Sequence, residues 1–252
     1  MRIRAFSVLV VLVGLVALLS ASSATSAVYG NFSGSTVTFT DVQDQNGLFG
    51  APTVSGDSLD FSPNAFEADC SLSIDCPPTP HTVDDTLTLG IDADPGSFID
   101  DVVLSEAGDT TLQSFVGALA ASVVTATIFV DIFEIDNVSV NNINANYSMT
   151  FSNGGNYNSG VDGYGTFIWN GGITIDIDQI IADAGLTGRA TLIEINLDNT
   201  LTAFAAAGAT SRIEKKDIDG LAITVVPEPG TALLMSLGLA GLASVRRERL
   251  QA

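Results

Sequence analysis

The residues with the most chemical potential in this 252-residue chain are few. One serine stands out, Ser58 in Gly56-Asp57-Ser58-Leu59, because a serine on a tight turn can be presented as a nucleophile. Such a serine needs a histidine base, and the sequence has a single histidine, His81, close behind it. No Ser-His-Asp set can be assembled, so the block reads as a turn feeding a strand. Carboxylates remain as catalytic groups, but they are spread along the chain and no pair is singled out by spacing. A glycosidase would also need an aromatic sugar cleft, and there are one tryptophan and four tyrosines. The chain is therefore expected to be non-catalytic.

Two binding chemistries are better supported. Asp92-Ala93-Asp94-Pro95-Gly96 has the Asp-x-Asp spacing that can offer two oxygens to one calcium ion. It lacks the later glutamate of an EF-hand loop. No other cofactor is expected. Trp169, Tyr164, Tyr157 and Tyr147 flank a Gly/Asn-rich stretch and could stack on sugar rings, against the plainer reading that they pack the core. Cys70 and Cys76 lie in a Pro-rich loop, and in an exported protein they read as a disulfide. Two thiols and one histidine leave a tetrahedral metal set incomplete.

The elements that must position these groups read as strands. Segments such as 35–40 and 86–91 alternate apolar and polar residues and are separated by Gly, Asn, Asp and Pro clusters. In the run 172–177, Ile173, Ile175 and Ile177 share one face while Thr174 and Asp176 share the other. A short helix over 178–184 is stopped by Gly185. Residues 152–165 read as a long loop. The pattern predicts an all-β domain, an antiparallel β-sandwich of jelly-roll type, over residues 28–226.

Both ends read as addresses. Residues 1–27 hold Arg2 and Arg4, a wholly apolar run at 8–19 and a small-residue stretch ending in Ala27, the expected signal peptidase site. At the other end, Pro227-Glu228-Pro229 excludes helix and sheet pairing. An apolar stretch follows at 231–245, and then Arg246 and Arg247. As a helix it would span roughly 22–26 Å at about 1.5 Å per residue. That is short of the roughly 30 Å hydrocarbon core, so it is a marginal anchor. Its arginines would stay cytoplasmic.

Charge agrees with export. The chain has 29 acids, nine bases and a net charge of −20. Only Arg189, Arg212, Lys215 and Lys216 lie between the two ends. Such a surface repels phosphate backbones, so nucleic acid is not an expected partner.

The residues Val226, Pro227, Glu228 and Pro229, the apolar stretch 231–245 and the basic Arg246 and Arg247 together resemble the PEP-CTERM sorting signal. The resemblance covers residues 227–252 as a tail and implies a membrane-embedded exosortase as partner. It implies transient inner-membrane anchoring, processing near Pro-Glu-Pro, and release to the surface or matrix of a Gram-negative bacterium rich in exopolysaccharide or biofilm. The sequence Gly56-Asp57-Ser58-Leu59 also resembles the block that names the GDSL hydrolases, and Gly155 and Asn158 imitate their Gly-x-x-Asn. That family has an aspartate three residues before its histidine, where this chain has Pro78.

Overall fold

The computed structural model describes residues 26–63, 65–71, 76, 79–216 and 220–226. Residues 1–25 of the expected signal peptide 1–27, the residues Pro227, Glu228, Pro229, Arg246 and Arg247, and the expected transmembrane helix 231–245 lie outside the described residues. Among the described residues no helix is long and apolar enough to cross a membrane.

In chain order the strands are β1 (Ala27–Ser33), β2 (Val37–Asp44), β3 (Pro52–Ser55), β4 (Ser58–Phe61), β5 (Glu67–Asp69), β6 (His81–Ala93), β7 (Asp101–Ser114) and β8 (Ala120–Ile135). They continue with β9 (Val138–Ser148), β10 (Thr150–Phe151), β11 (Asn156–Asn158), β12 (Gly165–Asp176), β13 (Ala190–Ala205), β14 (Ala209–Lys215) and β15 (Leu221–Val226). One helix, α1 (Ile177–Asp183), follows β12. Asp176 caps it: its Oδ1 accepts from the Gln179 amide at 2.8 Å.

The strands form two antiparallel sheets facing each other as a sandwich, as the alternation predicts. The first sheet runs β1-β2-β6-β13-β8-β11, with β9 also on β8. The second runs β10-β12-β7-β15-β4-β3, with β14 joining β5 to β7. The inward phase of β13 carries Ile193, Ile195, Leu197, Leu201, Ala203 and Ala205, all buried. Beside it in the same sheet, the inward phase of β8 carries Val124, Ile128, Val130 and Ile132, also buried. Burial of two such faces is the main stabilising term.

The second sheet forks. Strand β7 pairs with β12 along one edge from Asp101 to Leu112. Its other edge is shared: Asp101–Glu106 pairs with β15, and Gly108–Ser114 with β14. Gly108 sits at the fork. A Cβ there would lie 2.1 Å from the Glu214 carbonyl oxygen and 2.1 Å from Trp169 Cζ2, so only glycine fits.

The stretch 152–165 differs from the expected loop. It contains a 3-10 turn and β11, which pairs with β8. The side chain of Tyr157 enters the core and stacks on Phe167 with centroids 5.9 Å apart, so the segment is held by burial despite its Gly and Asn content. The run 172–177 is the end of a longer strand: residues 172–176 belong to β12, and Ile177 opens α1.

Candidate functional site

The turn around Ser58 is structural. Asp57 accepts hydrogen bonds from the Ser35 and Thr36 amides, both at 2.7 Å, and from the Thr36 hydroxyl at 2.9 Å. It thereby pins the β1–β2 hairpin to the β3–β4 turn. Ser58 Oγ bonds Thr224 Oγ1 at 2.8 Å, while His81 Nδ1 accepts from the Asp69 amide at 3.0 Å. Cys70 and Cys76 form the expected disulfide, with Cα atoms 5.3 Å apart. Asp92 projects outward from β6, and Asp94 begins the turn closed by the Ser97 amide. Among the described residues no group of three or more His, Cys, Asp or Glu side chains is arranged around a common point for a metal. The pair Asp92 and Asp94 alone falls short of the six to eight oxygens calcium takes. Trp169 is fully buried, so the aromatic cluster does not form a sugar-stacking platform; only Tyr164 among its members is well exposed.

The cluster that sequence reasoning missed lies between the sheets, at the fork. Glu106 from β7, Lys215 from β14 and Asn199 from β13 all point inward and are buried. Lys215 Nζ is 2.9 Å from Glu106 Oε1, and both side chains are 0% exposed. Asn199 Nδ2 donates to Glu106 Oε1 and Oε2, each at 2.8 Å. Three aromatic rings face the Lys215 amine, with centroids at 5.3 Å (Phe66), 5.4 Å (Phe49) and 5.9 Å (Trp169). Burial pulls the Lys215 pKa down from the ordinary amine range, partly opposed by the Glu106 carboxylate. Asn199 Oδ1 and Trp169 Nε1 are buried without a hydrogen-bond partner.

A second feature lies on the outer face of the first sheet. Asp41 has φ 50°, and the β2–β6 register shifts between Thr40 and Gln43. Beside this irregularity lies a groove of about 420 Å³. Thr40, Asp41, Gln43, Thr88, Phe133 and Glu194 line it, with Gly90 among them.

The last described strand runs directly into the tail. Val226 ends β15, pairs with Asp101 at one end of the sandwich and is 40% exposed. Residues 225–247 match the model of the PEP-CTERM protein-sorting motif. The chain carries a PEP-CTERM sorting motif. The motif implies an exosortase as processing partner and an exported, envelope-targeted protein. It covers the tail and the last two residues of β15.

No curated protein matches the chain. Among solved structures, TmCBM61 in complex with β-1,4-galactotriose is 7% identical over 58% of this chain and 69% of that one, with a TM-score of 0.18. Infectious bursal disease virus Gt strain is 12% identical over 90% of this chain and 73% of that one, with a TM-score of 0.16. The Gx strain is 13% identical over 76% and 50%, with a TM-score of 0.10.

Proposed function

We propose that the protein is a non-catalytic component of the cell surface or extracellular matrix, delivered by its PEP-CTERM motif. The observation that carries this reading is the position of the motif. It begins at Val225, within β15, the last described strand, which ends at Val226. A cut at Pro227–Pro229 therefore removes the tail and leaves every described strand in place. Signal peptidase takes off residues 1–27, the apolar stretch 231–245 holds the chain in the inner membrane for a time, and exosortase releases the sandwich to an exopolysaccharide-rich exterior. Ala27 is the first residue of β1, opposite Asp44, so cleavage after it leaves the β1–β2 pairing intact from Val28 onward.

Deleting the exosortase of the native host tests this. The full tail-bearing chain is then expected to accumulate in the inner membrane and to vanish from the exterior. An unchanged extracellular yield would contradict the reading.

The outer groove favours a second reading, carbohydrate binding. Thr40, Gln43 and Thr88 offer hydroxyl and amide groups, Asp41 and Glu194 accept from sugar hydroxyls, and Phe133 supplies an apolar wall. Retardation on native polysaccharide in affinity electrophoresis, lost in Glu194→Ala, would support it. Equal mobility of the two proteins would count against it.

A further inference from the structure

The buried cluster of Lys215, Glu106 and Asn199 lacks a stabilising rationale. Replacing a buried ion pair with apolar residues is often neutral or stabilising. Here an amine, a carboxylate and a carboxamide take core positions on three strands whose other inward side chains are apolar or, at Thr110 and Ser211, small hydroxyls. The amine and the carboxamide nitrogen share one partner oxygen, Glu106 Oε1, at 2.9 and 2.8 Å, so they are neighbours.

We propose that this cluster forms an intramolecular isopeptide bond between Lys215 Nζ and Asn199 Cγ, with Glu106 as the proton-transfer catalyst.

The steps balance without any co-reactant. The Lys215 ammonium passes a proton to Glu106, giving a neutral amine and a carboxylic acid. In a dry core the neutral pair is favoured over two charges, and the lowered Lys215 pKa works in the same direction. Half a turn of the Asn199 carboxamide exchanges Nδ2 for Oδ1 and brings the unpartnered Oδ1 to the acid proton of Glu106. That hydrogen bond polarises the carbonyl. Lys215 Nζ then donates its lone pair to Asn199 Cγ, forming a tetrahedral centre. Glu106 carries a proton from Nζ to Nδ2, the Cγ–Nδ2 bond breaks, and ammonia leaves. The product is one secondary amide, and nothing is oxidised or reduced.

A primary amide and an amine do not react at a useful rate in water. Fixed proximity supplies effective molarities of about 10⁵–10⁸ M, and this reaction need occur only once per molecule. Phe49, Phe66 and Trp169 exclude water from the amine and keep it in reach. The product would join β13, central in the first sheet, to β14, in the second sheet.

The test is mass spectrometry of the full chain, exported and then denatured, beside Glu106→Gln and Lys215→Arg. The wild-type protein is expected to be lighter by one ammonia than the mass of the same processed, disulfide-bonded chain without the cross-link. Its digest should contain a branched peptide whose fragments place the bond between Asn199 and Lys215, and both variants should show the full mass. Separate linear peptides for Asn199 and Lys215 from folded wild-type protein would overturn the proposal. So would an ammonia loss that persists in Lys215→Arg, which marks an aspartyl succinimide; Asn46-Gly47 and Asn153-Gly154 are sequence sites for one. A branched peptide persisting in Glu106→Gln would overturn the role of Glu106. Emission from Trp169, the only tryptophan, reports whether each protein is folded.

Discussion

Gly108 and Trp169 work as one unit. The indole occupies the space a side chain at 108 would need, and it packs T-shaped on Phe151 with ring centroids 5.9 Å apart. Gly108→Ala must push either the ring or the β14 backbone away, and it should cost about 1–3 kcal/mol as an overpacked core site. Urea unfolding followed by Trp169 emission measures this. The same probe reads the pH response of Lys215. In Glu106→Gln, where the cross-link is blocked, the folded state keeps a Lys215 that resists protonation. Below its lowered folded pKa it carries an unfavourable buried charge. As pH rises towards the ordinary amine range, the unfolded chain holds the extra proton, so stability should rise with pH. A flat or falling profile in that window would contradict the account. The cluster was only half legible in the sequence. Glu106 follows Val102 and Leu104 in phase, Asn199 follows Ile195 and Leu197, and Lys215 follows Ile213. Each breaks an apolar alternation, which is a readable signal. That the three meet depends on the fork in β7, and strand pairing is not written in any one segment.

At the scale of elements, strand order is held by a few polar pins. Asp57 fastens one hairpin to the next turn through three short hydrogen bonds. Asp57→Ala should destabilise the fold by about 1.5–3 kcal/mol, the range for bonds to a charged acceptor. Ser58→Ala loses one neutral bond and should cost about 1 kcal/mol. Thermal melts of the two variants check that order, which a nucleophilic role for Ser58 does not predict. Asp85 is a third pin. It accepts from the Asn46 and Leu48 amides, both at 2.9 Å, and burial raises its pKa in spite of them. Alternation made most strands readable, β12 and β13 above all. It failed over 152–165, where Gly and Asn signalled a loop. The three residues of β11 are too few to show a period, and Tyr157 is the one apolar anchor that draws them into the sheet.

For the whole molecule, the tail leaves at Val226, beside Asp101, where β7 starts. The loop after β7 lies at the opposite end and exposes Phe115 completely. A tethered sandwich thus presents that loop away from its point of attachment. All four central cations are paired with acids: Arg189 with Asp100, Arg212 with Glu67 and Glu214, Lys215 with Glu106, and Lys216 with Asp109. The remaining acids give the exterior its negative field, which favours solubility outside the cell. The sorting motif was legible because it is linear and needs no folding to be read. The site inside the sandwich is assembled from three distant segments and was not. The central claim is that the sandwich is delivered and then cut free of its tail. Its most direct test is the intact mass of the protein recovered from the exterior of its native host. The account predicts a chain that starts near Val28 and stops within Pro227–Pro229. A chain that still carries residues 231–252 and stays with the membrane would contradict it.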